Sequence, residues 1–411
     1  MRFRDSIAVL QIRDYRYFLS ARFLATLGMQ MQVLVISWQI YERTKDPFML
    51  GLIGGVEAVV FICAALWAGH FADRHEKRAI IVSAETVLLL CSVGLWFVTL
   101  HPSASLLWAY ALIAVTGLAR SFLWPASFSY SELTVPKAIY SRAATLNSTG
   151  WEIASITGPA LGGILYAWKG PAVTYGLIIS LLFGAVCCAS FLGKRPAVHQ
   201  PPKDPNDGLL SGARFVLSKP LMLGAMSLDM FAVLFSNVYA ILPVFADRMG
   251  VGAPGLGYLR AAPSIGAILM AMIIASRPPF QKAGQTLLNA VAVYGVCILG
   301  FAWAGYTNAF VWALVMLGLS GMADNISVVI RASIMQAETP DHMRGRVSSI
   351  NGMFIGSSNE IGAFRAGAAA KLFGTIPSVV FGGAMTLLTV ALVTWKVPAL
   401  RRLGTIHNSH H

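Results

Sequence analysis

Five carboxylates sit where carboxylates are costly. Glu57, Glu152, Asp229, Asp324 and Glu360 each lie inside a long apolar run. Ionisable groups in such runs mark ion or substrate pathways. Burial moves carboxylate titration toward neutral pH, which suits such a group to load and release protons. All eight histidines fall in loops or in the tail, so a proton relay in this chain has to use carboxylates. Asp229 and Asn237 are eight residues apart and share a helix face, as do Glu360 and Gly356. Asp229 and Glu360 therefore rank first as proton carriers, with Glu57 and Glu152 next. Asp324, Arg120, Gln30 and Asn237 complete the candidate proton and substrate site. Arg120, Arg331 and Arg365 lie in the same runs, so static ion pairs between helices are the competing account. A substrate cavity built this way would be largely apolar with a few fixed polar groups.

Other chemistries have weaker footing. The five cysteines, Cys63, Cys91, Cys187, Cys188 and Cys297, all sit in apolar runs without metal spacing to a histidine. No metal site and no cofactor are expected. His407-x-x-His410-His411 is too small a cluster to argue for a metal. Gly318-Leu319-Ser320-Gly321 has the look of an intramembrane serine protease motif, but that chemistry needs a base beside the serine, and no histidine lies within a run.

The elements that position these groups follow from composition. The chain has 411 residues, 56% hydrophobic and 12% charged, against about 25% charged in a soluble domain. A soluble fold is excluded. A helix needs about 20 mainly apolar residues to cross the hydrocarbon, and twelve such runs are readable. They centre near Val33, Val60, Leu89, Ala114, Ser155 and Phe183, then Val233, Leu269, Val293, Met322, Asn359 and Leu387. The first is too long for a signal-peptide core and lacks a small-residue cleavage site.

Net charge is +13, but 21 of the 31 Lys and Arg fall in segments on one side of these runs. Only Arg43, Lys45, Lys169, Arg248 and Lys371 lie on the other. The bias predicts both termini in the cytoplasm and replaces a nucleic-acid reading. The expected architecture is an all-α integral membrane protein of twelve transmembrane helices in two six-helix halves. Residues 1–193 form the first bundle, 194–219 a proline-rich cytoplasmic linker, 220–397 the second bundle and 398–411 a cytoplasmic tail. A shift of 204 residues superposes Pro136 on Pro340, Arg142 on Arg346, Asn147 on Asn351, Gly158 on Gly362 and Gly163 on Gly367, as duplication would.

Two motifs stand out from this background. Gly69-His70-Phe71-Ala72-Asp73-Arg74-His75-Glu76-Lys77-Arg78 is a charged knot between the second and third runs. Gly158-Pro159-Ala160-Leu161-Gly162-Gly163 lies inside the fifth, where small residues permit close helix approach. With this topology the chain resembles the major facilitator superfamily over essentially its full length. The knot resembles that family's loop between spans two and three, through Gly69, Asp73, Arg74, Lys77 and Arg78. The resemblance implies that Asp73 faces the start of span eleven near Gly345 and Arg346 and acts as a gate. The fifth-span segment resembles the family's antiporter motif, through Gly158, Pro159, Gly162 and Gly163, with Gly158 and Gly162 expected against a second-half helix. Arg13-Asp14-Tyr15-Arg16, Leu242-Pro243-Val244-Phe245-Ala246 and the stretch from Thr339 to Glu360 are similar to the branch holding the enterobactin exporter and drug-exporter-like proteins. Relatives in that branch often carry an acidic residue where this chain has Met29.

The resemblance implies a secondary active transporter, monomeric and multi-pass in the cell (inner) membrane. It would export a small amphipathic molecule, a siderophore or drug-like compound, by proton antiport and alternating access. Its partners would be that substrate, protons and the lipid bilayer. A lysolipid or lipid flippase, or a metal-ion exporter, on the same fold are the alternatives.

Overall fold

The computed structural model describes residues 9–136, 139–195, 210–278, 280–340 and 343–404. The side chains of Ala65, Leu66, Gly69, His70, Asp73, Ser141, Arg344, Gly345 and Ser349 lie outside that description. An apolar chain that cannot hydrogen-bond to lipid must satisfy its backbone internally, and helices do so within one segment. In chain order the helices are α1 (Arg13–Thr44), α2 (Pro47–Arg74), α3 (Lys77–Leu100), α4 (Leu106–Thr134) and α5 (Tyr140–Ser190). Then come α6 (Leu210–Ser218), α7 (Pro220–Ser236), α8 (Leu242–Arg248), α9 (Gly252–Ala275) and α10 (Ala283–Thr307). The last are α11 (Phe310–Glu338), α12 (Arg344–Phe373), α13 (Thr375–Lys396) and α14 (Pro398–Arg401).

Ten helices among the described residues are long and apolar enough to cross a membrane. The twelve run centres all fall within helices, and two of them share α5. Gly170 breaks α5 with φ 80° and ψ 174°, a conformation that favours glycine, and Pro171 follows it. An added Cβ at Gly158 would lie 3.2 Å from the Leu27 carbonyl, and one at Gly28 would lie 3.3 Å from Leu182. Positions 158 and 182 thus reach the same turn of α1 from opposite sides of Gly170, so α5 folds back on itself there. The 30-residue α12 is not among the ten: Ser348, Asn351, Ser357, Ser358, Asn359 and Glu360 make its middle polar, and Arg344, Arg346 and Lys371 lie toward its ends.

Large apolar side chains lie on the outside: Trp108, Trp168, Trp303 and Trp395 are all more than 60% exposed. Each sits near a helix end or at the Gly170 turn, where amphipathic rings meet the membrane–water boundary.

The chain divides into two compact units. The first comprises Met1–Arg43, Val56–Gln200 and Gly252–Ala261; the second comprises Thr44–Gly55, Pro201–Val251 and Ala262–His411. The start of α2 therefore groups with the second unit, and the start of α9 with the first. The core of the first unit gathers Tyr15, Phe18, Ile81, Leu88, Tyr130 and Leu192. That of the second gathers Val216, Met222, Leu228, Leu287, Ile330 and Leu400.

Two segments outside the expected bundles carry structure of their own. Residues 194–219 are not all loop: α6 docks through buried Val216, and an added Cβ at Gly212 would stand 3.0 Å from the Arg346 carbonyl. The segment 398–404 is not a free tail, because Leu400 is fully buried. Both segments are short and carry one or two apolar anchors, too few to show as a periodic pattern. The histidines of 407–411 lie outside the described residues.

The tight turn from α1 to α2 is Lys45-Asp46, with Lys45 at φ 50°. Asp46 accepts from the Phe48 amide at 3.0 Å and from Lys371 Nζ at 2.8 Å. The Lys371 hydrogen bond holds the Asp46 carboxyl below its usual range. A depressed carboxylate stabilises the fold above its ordinary pKa of about 4 and loses that contribution as pH falls through the lowered value. Lys371→Met should cost about 0.5 kcal/mol at pH 7, because the pair is largely exposed, and less at pH 2. Thermal melts at the two pH values check this.

Candidate functional site

The charged knot works first as a helix terminator. The last carbonyls of α2 have no partner within the helix, and Lys or Arg side chains can supply one. Lys77 Nζ is buried and donates to the Ala72 carbonyl, and it reaches the His75 carbonyl at 3.4 Å. Arg78 Nη2 donates to the Ser190 carbonyl at the end of α5, at 2.6 Å. Arg74 is exposed. Gly69 and Gly345 have a described backbone only, and the Asp73 side chain lies outside the description.

The Arg13–Arg16 phrase serves the same end of the first unit. Asp14 pairs with Arg195 at 3.1 Å, and Tyr15 Oη donates to the Ala143 carbonyl at 2.8 Å. Tyr130 Oη donates to the Gly193 carbonyl at 3.2 Å. Asp14 and Tyr15 of the phrase, with Tyr130 of α4, thus tie helix ends together.

The glycine-rich segment of α5 lies between α1 and the start of α9, both within its own unit. Gly158 faces α1, where an added Cβ would stand 2.8 Å from Gln30 Cβ. Gly162 also faces α1, at Met31, with ordinary spacing of 3.4 Å. This corrects the expectation that both approach a second-half helix: the face carrying positions 158 and 162 is turned to α1. Gly163 meets the start of α9, where a Cβ would overlap the Ala253 carbonyl. Reciprocally, a Cβ at Gly257 would stand 2.5 Å from the carbonyl of Pro159.

The second unit repeats this arrangement at the positions related by 204 residues. Gly362 of α12 faces α7 at the carbonyls of Val233 and Leu234, 3.1 and 3.2 Å from an added Cβ. A Cβ at Gly367 would collide with Gly51 at the start of α2. The collinear glycines therefore do equivalent jobs in the two units.

The carboxylates divide. Asp229 of α7 is buried and ion-paired with buried Arg331 of α11. Glu57 of α2 pairs with Arg120 of α4 at 3.2 Å. Glu152 and Glu360 are partly buried, and Asp324 is exposed. Arg365, expected as a third ion-pair partner, leaves Nε and Nη1 buried without a hydrogen bond among the described residues.

Gln30 donates to Ser155 Oγ at 3.0 Å, joining α1 to α5. Asn237 is engaged structurally. It ends α7, donates to the Asn359 carbonyl at 2.8 Å and accepts from the Tyr239 amide at 3.1 Å. Ser320 donates to the Leu317 carbonyl at 2.7 Å. Gly321 next to it meets the Pro263 carbonyl. The segment that looked like a protease motif is a close crossing of α9 and α11.

Glu85, which the sequence places nearer the cytoplasmic end of its run, stands outside the ranked proton carriers. Glu85 of α3 is fully buried, both carboxylate oxygens lack a hydrogen-bond partner among the described residues, and Arg22 of α1 acts on it electrostatically.

The family model described as Major Facilitator Superfamily matches residues 18–363. Among curated proteins, an enterobactin exporter EntS of Shigella boydii serotype 18 (strain CDC 3083-94 / BS512) is 26% identical over 391 residues, 94% of this chain and 92% of that protein. The enterobactin exporter EntS of Escherichia coli O1:K1 / APEC matches with the same identity and coverage. Among solved structures, a POT family transporter in complex with a thioalcohol conjugated peptide has a TM-score of 0.75 at 9% identity, covering 94% of this chain and 96% of that one. A bacterial homolog of the human lysosomal transporter Spinster, inward-facing and occupied, has a TM-score of 0.71 at 14% identity, covering 94% and 97%. At these identities the structural likeness is one of fold.

Proposed function

The chain belongs to the major facilitator superfamily, and from that premise we propose that it exports a siderophore or similar small amphipathic molecule by proton antiport. It is a multi-pass membrane transporter and not an enzyme. The observation that carries the export reading is the end-to-end similarity to proteins named enterobactin exporters, over 94% of this chain. We read twelve spans, counting the two arms of α5 and adding α12, with both termini in the cytoplasm of a cell with this protein in its inner membrane. Residues 1–193 and 220–397 are the two six-helix bundles of a monomer, and Asp73 is the gate residue. Neither a flippase nor a metal-ion exporter has a specific observation in its favour.

Asp229 is the foremost proton carrier in this reading. A buried carboxylate is stabilised either by its cation or by a proton, and it exchanges one for the other. Protonation of Asp229 frees Arg331, which couples proton uptake to a rearrangement of α7 against α11. Glu57 with Arg120, and then Glu360 and Glu152, are the next candidates.

Transport into proteoliposomes, screened over enterobactin, other siderophores and drug-like compounds, tests the substrate class. Imposing a pH gradient tests coupling. Asp229→Asn should retain substrate binding and lose acceleration by the gradient, since a group that cannot titrate cannot exchange a proton for substrate. Gradient-driven transport that survives in Asp229→Asn, Glu360→Gln, Glu57→Gln and Glu152→Gln alike would remove carboxylate coupling.

A further inference from the structure

We propose that the end of the second unit formed by α10, α13 and α14 holds a binding site for an anionic phosphate group, with phospholipid headgroups as its natural source. The residues after α13 build it. Pro398 starts α14, and the fully buried Leu400 anchors it. The Leu403 and Gly404 carbonyls then accept from the Gly284 and Ala283 amides at 3.2 and 3.3 Å. A Cβ at Gly284 would collide with the Leu400 carbonyl, so the close docking needs glycine there. Arg401 and Arg402 are therefore held on a turn fixed on both sides rather than on a free tail.

Opposite them stand Lys282 and Gln285, at the start of α10, and Thr394 and Trp395, in the last turn of α13. The cavity measures about 540 Å³, within the size range of small-molecule sites. Its charged lining residues are Lys282, Arg401 and Arg402. None of the three is ion-paired to a carboxylate among the described residues. Three cations around one cavity repel each other, and an anion placed there relieves that repulsion. Guanidinium groups match phosphate oxygens in geometry as well as charge.

Trp395 gives the location. It is 77% exposed at the penultimate position of α13, where a tryptophan marks headgroup depth. A topological anchor requires basic residues but neither a cavity nor a docked turn to hold them. Basic pockets at the ends of membrane helices are suited to phosphate headgroups.

The test uses the full chain in neutral detergent. Phosphatidylglycerol added in mixed micelles should raise the melting temperature by about 2–4 °C over phosphatidylcholine. R401Q/R402Q should melt at the wild-type temperature without lipid and lose at least half of the shift. R214Q/R277Q, which removes two cations elsewhere, should keep it. Mass spectrometry of the purified protein should count fewer retained phosphatidylglycerol molecules in R401Q/R402Q than in R214Q/R277Q. Inorganic phosphate giving the same shift, with the same sensitivity to R401Q/R402Q, would keep the site and assign it to free phosphate. Equal shifts and equal lipid counts in the two double variants would overturn the proposal, leaving only general surface attraction.

Discussion

Gly163→Ala is expected to reduce transport to background, whereas Gly162→Ala, one residue away, should keep most of it. The two positions differ only in what a single methyl group meets. At 162 it meets the Met31 side chain and Cα at 3.4–3.6 Å, ordinary contact distances. At 163 it meets the Ala253 carbonyl, with Pro254 Cα at 3.2 Å, and backbone cannot rotate away. Overpacking of this kind costs about 1–3 kcal/mol. That cost falls on a crossing which α9 must keep through the transport cycle if the α5 motif is functional. Gly158→Leu should fail as well, since its Cβ alone would crowd Gln30 Cβ at 2.8 Å. Transport and melting temperature should be read together: full activity in Gly163→Ala would reduce the glycine pattern to ordinary packing.

Arg331→Met should be strongly destabilising at neutral pH. It leaves Asp229 buried in α7 without its cation, and removing one member of a buried pair costs about 3–5 kcal/mol. Asp229→Asn with Arg331→Met should recover most of that loss, because no charge then remains unpaired. Thermal melts of the two singles and the double form a cycle that isolates the coupling. A double variant no more stable than Arg331→Met would show that the pair contributes through packing instead.

How much of this was legible beforehand depends on the length scale of the signal. Helix positions were legible because each span must be an apolar run of about 20 residues, and every run centre fell in a helix. The break in α5 was legible too, since Trp168-Lys169-Gly170-Pro171 interrupts an otherwise apolar stretch. The docking of α6 and α14 was not, because each is held by one or two side chains such as Val216 or Leu400. Spacing along one helix placed Asp229 and Asn237 on a common face, but it could not say that Asn237 spends its amide on the Asn359 carbonyl. The same limit applied to the glycines: their closeness to something was readable, while the choice of α1 or α9 depends on helix rotation. That Glu85 feels the charge of Arg22 depends on how α1 and α3 pack, which neither run contains by itself.

The fold-back at Gly170 bears on how the chain enters a bilayer. Lys169 carries the only charge between Trp168 and Pro171, and Trp96 already holds the Ala172 carbonyl at 3.1 Å. The two arms of α5 thus have almost no polar connector to be carried across. They are suited to insertion as one hairpin, in which each arm shields the other's backbone turn. Synthesis halted between the arms would leave a lone first arm, without the partner that meets the same turn of α1. Insertion of the two arms as a pair is what this geometry suits.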